Sequence, residues 1–190
     1  MEVVAGPMFS GKTEELLRRM RRATLAKQTV MLFKPVRDDR HGTTDVVSHD
    51  ARRQNAIALE SSSDVERQVA QAHPRPDVVG IDEVQFFDDD IVSVCNRLAD
   101  DGIRVIVAGL DLDYLGRPFG IMPLLLAHAE YVTKLNAICS RTGRPAHFSH
   151  RIEGGSEDVQ IGGAESYEAL SREPYNDVVV RDHHRGATAE

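Results

Sequence analysis

The sequence predicts an α/β protein, a parallel β-sheet flanked by helices and followed by a small C-terminal module. Three observations carry that reading. Short apolar runs at residues 2–5, 29–33, 77–81 and 103–108 alternate with stretches of helical periodicity. Between the first run and the first helix, Gly6-Pro7-Met8-Phe9-Ser10-Gly11-Lys12-Thr13 fits the pattern G-x-x-x-x-G-K-[ST] at every fixed position. From about Asn136 the chain turns polar and is broken by Gly143 and Pro145, which marks the module.

Bulk properties bound the function. The 190 residues are 41% hydrophobic, enough for one core and a small appendage. A net charge of −7 argues against a nucleic-acid partner. Anionic substrates must then be met by local positive groups. No apolar run approaches a membrane span, and the chain opens directly into a strand, so neither a membrane anchor nor a signal peptide is expected. Cys95 and Cys139 are too few for a disulfide framework, and a cytoplasmic setting is the expectation.

The strand–loop–helix at the N-terminus implies a nucleotide. Gly6 and Gly11 permit backbone angles that let successive N–H groups curl around a phosphate oxygen. Lys12 adds a cation for the outer phosphates, and the Thr13 hydroxyl can ligate Mg²⁺. A helix with Leu16, Met20 and Ala23 on one stripe begins there and turns its positive end to the same anion. The fold is therefore expected to be P-loop NTPase-like.

Residues 29–33 read as a buried parallel strand, giving one strand–helix–strand crossover. The polar loop 34–42 leaves the ligand edge of the sheet, which makes Asp38 and Arg40 candidates for the phosphate region; the same composition suits a solvated charged loop. Residues 45–48 and 56–59 look like short strands flanking 52–55. A polar helix over 64–73 turns Val65, Val69 and Ala72 inward and is closed by Pro74 and Pro76.

The run 77–81 ends in Asp82-Glu83. A carboxylate at such a strand end is placed to hold Mg²⁺, the role assigned to Asp82, and Glu83 is then available as a base. Ile91, Val94, Cys95 and Leu98 mark a helix with Cys95 in the core. Strand 103–108 leads into loop 109–120, where Arg117 could balance phosphate charge. Tyr114 and Phe119 there offer flat faces that suit either the core or a base pocket. A helix over 124–129 and a strand over 131–133 complete the layer. In the module, 153–156 reads as a hairpin tip. Residues 181–190, with His183 and His184, read as a mobile tail. The expected division is 1–137, 138–180 and 181–190.

Four separated stretches then line up with one family. They are residues 6–16, Ile81-Asp82-Glu83-Val84-Gln85-Phe86-Phe87, Ala108-Gly109-Leu110-Asp111 with Arg117-Pro118-Phe119-Gly120, and Ile161-Gly162-Gly163-Ala164-Glu165-Ser166-Tyr167. Over nearly its whole length the chain resembles the homotetrameric thymidine kinases. The resemblance implies Mg²⁺-dependent transfer of the γ-phosphate of ATP to the 5′-hydroxyl of thymidine, with Glu83 as general base. It implies phosphate contacts from residues 6–13 (Gly6, Pro7, Met8, Phe9, Ser10, Gly11, Lys12, Thr13) together with Asp82, Gln85, Asp38 and Arg40. It implies a nucleoside pocket lined by Met8, Phe86, Leu110, Tyr114, Phe119 and Tyr167, closed by a lasso in which Gln160, Ile161, Gly162 and Gly163 read the base. Feedback inhibition by thymidine triphosphate and a homotetramer come with it.

One feature departs from the family pattern. Most members hold the lasso with a zinc ion on two Cys-x-x-Cys pairs, a closed tetrahedral site. Here those positions read Cys139-Ser140-Arg141-Thr142 and Ser171-Arg172-Glu173-Pro174, so Cys139 alone remains. No pair among His147, His150, His183 and His184 has finger spacing relative to Cys139, and no structural zinc is expected. Packing around Phe148 and Tyr167, the hairpin and neighbouring subunits are expected to hold the module instead. Two rival readings remain open from sequence: an ATPase in which Glu83 activates water, and a regulatory nucleotide-binding module without chemistry. Nucleotide turnover that is indifferent to thymidine would mark the first, and no turnover the second.

Overall fold

The computed structural model describes residues 1–36, 45–47, 53–152 and 166–186. The sheet is built from β1 (Glu2–Ala5), β2 (Val30–Pro35), β5 (Ile57–Leu59), β6 (Val78–Ile81), β7 (Arg104–Gly109) and β8 (Tyr131–Lys134). Its order is β5-β2-β6-β7-β1-β8, and every pairing is parallel. Helices α1 (Lys12–Leu25), α2 (Ser62–Gln71), α3 (Ile91–Asp100) and α4 (Met122–His128) cover it.

The two-residue period of the strands sorts the core into two layers. Val4, Leu32, Val78, Ile106 and Ala108 meet Leu16, Leu17, Met20 and Ala23 of α1. Val3, Phe33, Val79, Ile81, Val105 and Val107 meet the apolar stripes of α2, α3 and α4 on the other face. Cys95 lies in that second layer, where burial pushes its thiol up to about 12, so it acts as a small apolar residue.

Several boundaries differ from the sequence reading. Residues 53–55, expected to link two strands, form β4 (Arg53–Asn55) and pair antiparallel with β3 (Asp45–Val47). β5 instead joins the parallel sheet beside β2, because the two short apolar runs belong to different sheets. Helix α2 starts two residues early because Ser61 and Asp64 form a reciprocal cap. Asp at the third helical position, in place of Glu or Gln, hides that signal in the sequence.

The module holds a short hairpin of β9 (Ala137–Ile138) and β10 (Pro145–Ala146). Beside it β11 (Phe148–Arg151) pairs antiparallel with β12 (Tyr167–Leu170). Helix α5 (Arg172–Gly186) closes the module. Helix runs continuously across the expected boundary at residue 180, since Pro174 is tolerated in its first turn and no glycine or proline follows until Gly186. The supposed hairpin tip at 153–156 and residues 187–190 lie outside the described residues. Ala137, Cys139, Ala146, Phe148, Ala169, Leu170, Tyr175 and Val178 form the module core, and Phe9 and Leu112 from the sheet domain pack against it.

Candidate active site

The loops after β1, β6 and β7 meet at the carboxyl edge of the sheet, where α/β folds of this kind bind ligands. After β1 the backbone takes angles closed to most residues: Gly6 has φ 152°, Phe9 φ 65° and Gly11 φ 82°. A Cβ on Gly6 would stand 2.4 Å from the Leu135 carbonyl oxygen, so the loop can run this close to the neighbouring strand only with glycine there. Lys12 is buried and folds back over its own loop, donating to the Pro7 carbonyl at 2.8 Å. The Ser10 hydroxyl donates to the same oxygen at 2.8 Å.

Asp82 ends β6 buried beneath this loop. Its Oδ2 accepts from the Thr13 hydroxyl at 3.0 Å, and its Oδ1 accepts from the Glu83 amide at 3.1 Å. A hydroxyl and a carboxylate in contact at the foot of a phosphate loop are the donor set a Mg²⁺–nucleotide takes, and the residues fit it. Glu83 follows in a left-handed conformation, φ 48°, a strained backbone held by its surroundings. Gln85 supplies part of that hold. Its amide nitrogen donates to Glu83 Oε2 at 2.6 Å, and its carbonyl accepts from the Leu110 amide at 3.1 Å. Gly109 makes room, since a Cβ there would stand 2.6 Å from the Gln85 oxygen. Both ends of the buried Gln85 side chain are thus engaged, one by Glu83 and the other by Leu110.

The apolar candidates come together in two groups. Phe86 and Phe119 meet edge to face, with centroids 5.8 Å apart and an interplanar angle of 86°. Tyr114 and Tyr167 flank the Arg151 guanidinium, which lies 3.8 Å from the first ring centroid and 5.8 Å from the second. Met8 joins the module through its amide, which donates to the buried Ser149 hydroxyl at 2.9 Å. Arg117 is engaged elsewhere: its guanidinium pairs with Asp113 at 2.8 Å on the outside of the loop. Asp38, Arg40, Gln160, Ile161, Gly162 and Gly163 lie outside the described residues.

Several residues at this edge were missed from sequence. Ser149 and Arg151 alternate along β11 and so share one face, a period-two signal too short to notice in a polar stretch. Asp111 is buried with Lys134 2.8 Å from its Oδ2, and Lys34 is buried near the end of β2. A single charged residue in a strand, or in the loop just after one, gives no periodic signal of its own.

Three of the four positions of the zinc pattern, Cys139, Thr142 and Ser171, form a hydrogen-bonded chain, and the fourth is Pro174. The Ser171 hydroxyl donates to Cys139 Sγ at 3.5 Å and lies 3.3 Å from the Thr142 hydroxyl. Burial alone would raise the Cys139 thiol, but hydrogen bonds from Ser171, Thr142 and nearby backbone outweigh it and lower it to about 6. One sulfur, two hydroxyls already bonded to each other or to it, and a proline do not suit a zinc ion. Among the described residues no group of three or more His, Cys, Asp or Glu side chains gathers in a metal-binding arrangement.

Sequence comparison decides the family. The thymidine kinase family profile matches residues 1–175. The chain belongs to the thymidine kinase family. It is 48% identical over 182 residues to the thymidine kinase of Bacteroides fragilis, covering 96% of this chain and 89% of that one. It is 50% identical over 175 residues to the Bacteroides thetaiotaomicron thymidine kinase, covering 92% and 86%. It is 51% identical over 172 residues to that of Rhodothermus sp., covering 90% and 79%. A thymidine kinase phosphorylates thymidine with ATP, and the loop, acid pair and aromatic groups described above are the candidate site for that reaction. No helix among the described residues is long and apolar enough to cross a membrane.

Proposed function

We propose that this thymidine kinase transfers the γ-phosphate of ATP to the 5′-hydroxyl of thymidine, with Glu83 as the general base. The observation that carries this reading is the clasp on Glu83: its carboxylate is held by Gln85, one residue after the Asp82–Thr13 contact. Phosphoryl transfer is mainly positioning and charge stabilisation. The backbone N–H groups of residues 8–13 and the Lys12 ammonium bind the phosphates, with Lys12 exchanging its hold on the Pro7 carbonyl for phosphate oxygen. Asp82 and Thr13 would hold Mg²⁺, which neutralises charge on the β- and γ-phosphates. Glu83 accepts the 5′-hydroxyl proton as that oxygen attacks. Asp38 and Arg40 are proposed to complete the phosphate contacts.

Thymidine is proposed to lie between Met8, Phe86, Leu110, Tyr114, Phe119 and Tyr167, with its base read by the segment 160–163. Covering the acceptor excludes water as a competing nucleophile. Thymidine triphosphate would then inhibit by spanning the two sites at once, its base in the acceptor pocket and its phosphates on the loop. The enzyme is proposed to act in the cytoplasm as a homotetramer, without zinc. Incubation with ATP, Mg²⁺ and each natural nucleoside tests the reading: thymidine monophosphate should form in preference to the others. Activity on deoxycytidine or deoxyadenosine without activity on thymidine would overturn it.

A further inference from the structure

Tyr175 lies in the first turn of α5, beside the last of the four zinc positions, and is almost fully buried. Its ring stacks on Phe148 with centroids 4.2 Å apart and planes 11° apart, and Arg172 lies over the Phe148 ring at 5.1 Å. Its hydroxyl donates to the Tyr114 carbonyl oxygen at 3.1 Å. The loop tip is shaped to receive it. Gly116 has φ 74°, and a Cβ there would stand 2.8 Å from the Tyr175 oxygen. The turn itself is wound tight by Asp113, whose carboxylate accepts from the Leu115 and Arg117 amides.

One side chain therefore grips two walls. Phe148 belongs to β11, the strand that carries Ser149 against the Met8 amide and Arg151 against the Tyr114 ring. Tyr114 belongs to the loop after β7. Packing on Phe148 needs only the ring, and phenylalanine would supply it. The buried hydroxyl is what reaches across, and it costs free energy unless it is bonded. Burial, reinforced by Asp113, pushes that hydroxyl up to about 12, so it stays a donor at neutral pH.

We propose that Tyr175 is a positioning residue for the acceptor nucleoside, fixing Tyr114 against β11 at the corner where the family pattern would place a metal. The proposal rests on the reading that Tyr114 lines the nucleoside pocket. It acts through Tyr114, so its effect falls on thymidine and not on ATP.

The experiment is steady-state kinetics on full-length Tyr175→Phe, Tyr175→Leu and Tyr114→Ala, with melting temperatures alongside. Tyr175→Phe keeps the stack and loses one hydrogen bond. It should raise the KM for thymidine about 3- to 10-fold, the usual worth of such a bond. Its KM for ATP and its kcat should stay close to the parent, with a fall in melting temperature of only about 2–4 °C, the worth of one hydrogen bond. Tyr175→Leu should add a larger fall in melting temperature to the same selective change. A Tyr175→Phe enzyme with unchanged thymidine KM, in a series where Tyr114→Ala raises it, overturns the proposal and leaves the pocket reading intact. Equal shifts in both KM values reduce Tyr175 to a packing residue. An unchanged thymidine KM in Tyr114→Ala removes the pocket reading and the proposal with it.

Discussion

Gln85 and Leu110 are joined by a 3.1 Å hydrogen bond from the Leu110 amide to the Gln85 side-chain oxygen, and the other end of the same amide holds Glu83. The acid after β6 and the loop after β7 are thus set by one buried group. Replacing Gln85 with Leu strands the Leu110 N–H and releases Glu83. Stability should fall by about 1–3 kcal/mol, the cost of an unsatisfied buried donor. Activity should fall further than Tm alone accounts for. Gly109→Ala, which drives a Cβ into the Gln85 oxygen, should give the same phenotype. Calorimetric melting and kcat on both variants check this, and a fully active Gln85→Leu enzyme would contradict it.

Glu83→Gln keeps the size of the side chain and removes its capacity to take a proton. ATP binding should persist while phosphoryl transfer drops by about 10²–10⁴-fold, the usual loss of a general base. Single-turnover measurements with saturating ATP give the comparison. A rate within a few-fold of the parent would remove Glu83 from the role.

Lys12 donates to the Pro7 carbonyl of its own loop, at the phosphate end of the site. Lys12→Ala should therefore weaken ATP use and leave thymidine affinity nearly unchanged. Isothermal titration with each substrate separates the two, and a selective loss of thymidine binding would misplace the loop.

The module corner should hold no zinc, because Ser171 and Thr142 bond to Cys139 and to each other where thiolates would have stood. Metal analysis of protein purified without an affinity tag should find far less than one zinc per chain. Chelator-treated and untreated samples should melt together. One zinc per chain with a chelator-induced drop in melting temperature would sink this account.

Acid should loosen the module. Burial alone would raise the Glu168 carboxyl, but Arg141, Ser140 and His150 together outweigh it and hold it at about 2, against an ordinary value of 4.5. A depressed carboxylate stabilises the fold fully above its unfolded value. That contribution is lost as pH falls from about 4.5 towards 2. The chain has no tryptophan, so near-ultraviolet circular dichroism reports tyrosines such as Tyr167 and Tyr175. Their signal should weaken across that window, and Glu168→Gln should flatten the dependence.

Much of this was legible in the residues. The glycine-bounded loop, the acid pair after an apolar run and the alternation of strand and helix are local patterns, and local patterns survive into structure. Glu83 and Asp82 could be placed because each strand end of a parallel sheet opens on the same edge. What escaped depended on partners distant in the chain. Ser149 meets Met8 across 141 positions, and Tyr175 meets Tyr114 across 61. Gln85 reads as one more polar residue beside two acids, and only the fold brings the Leu110 amide to its side chain. Phe148 was expected to anchor the module and does, but its stacking partner is Tyr175. The helix beyond residue 180 escaped because polar composition marks a solvated surface as readily as a chain end.

The Met8–Ser149 bond bears on how this chain can be divided. The expected division places a boundary near residue 137, and a cut there would separate the nucleotide-binding part from the module. That cut would strip the Met8 amide of its acceptor, uncover Phe9 and Leu112, and deprive the Tyr114 turn of its anchor. The phosphate loop would lose one of its walls. The two parts therefore share the contacts on which the phosphate loop and the Tyr114 turn both rest.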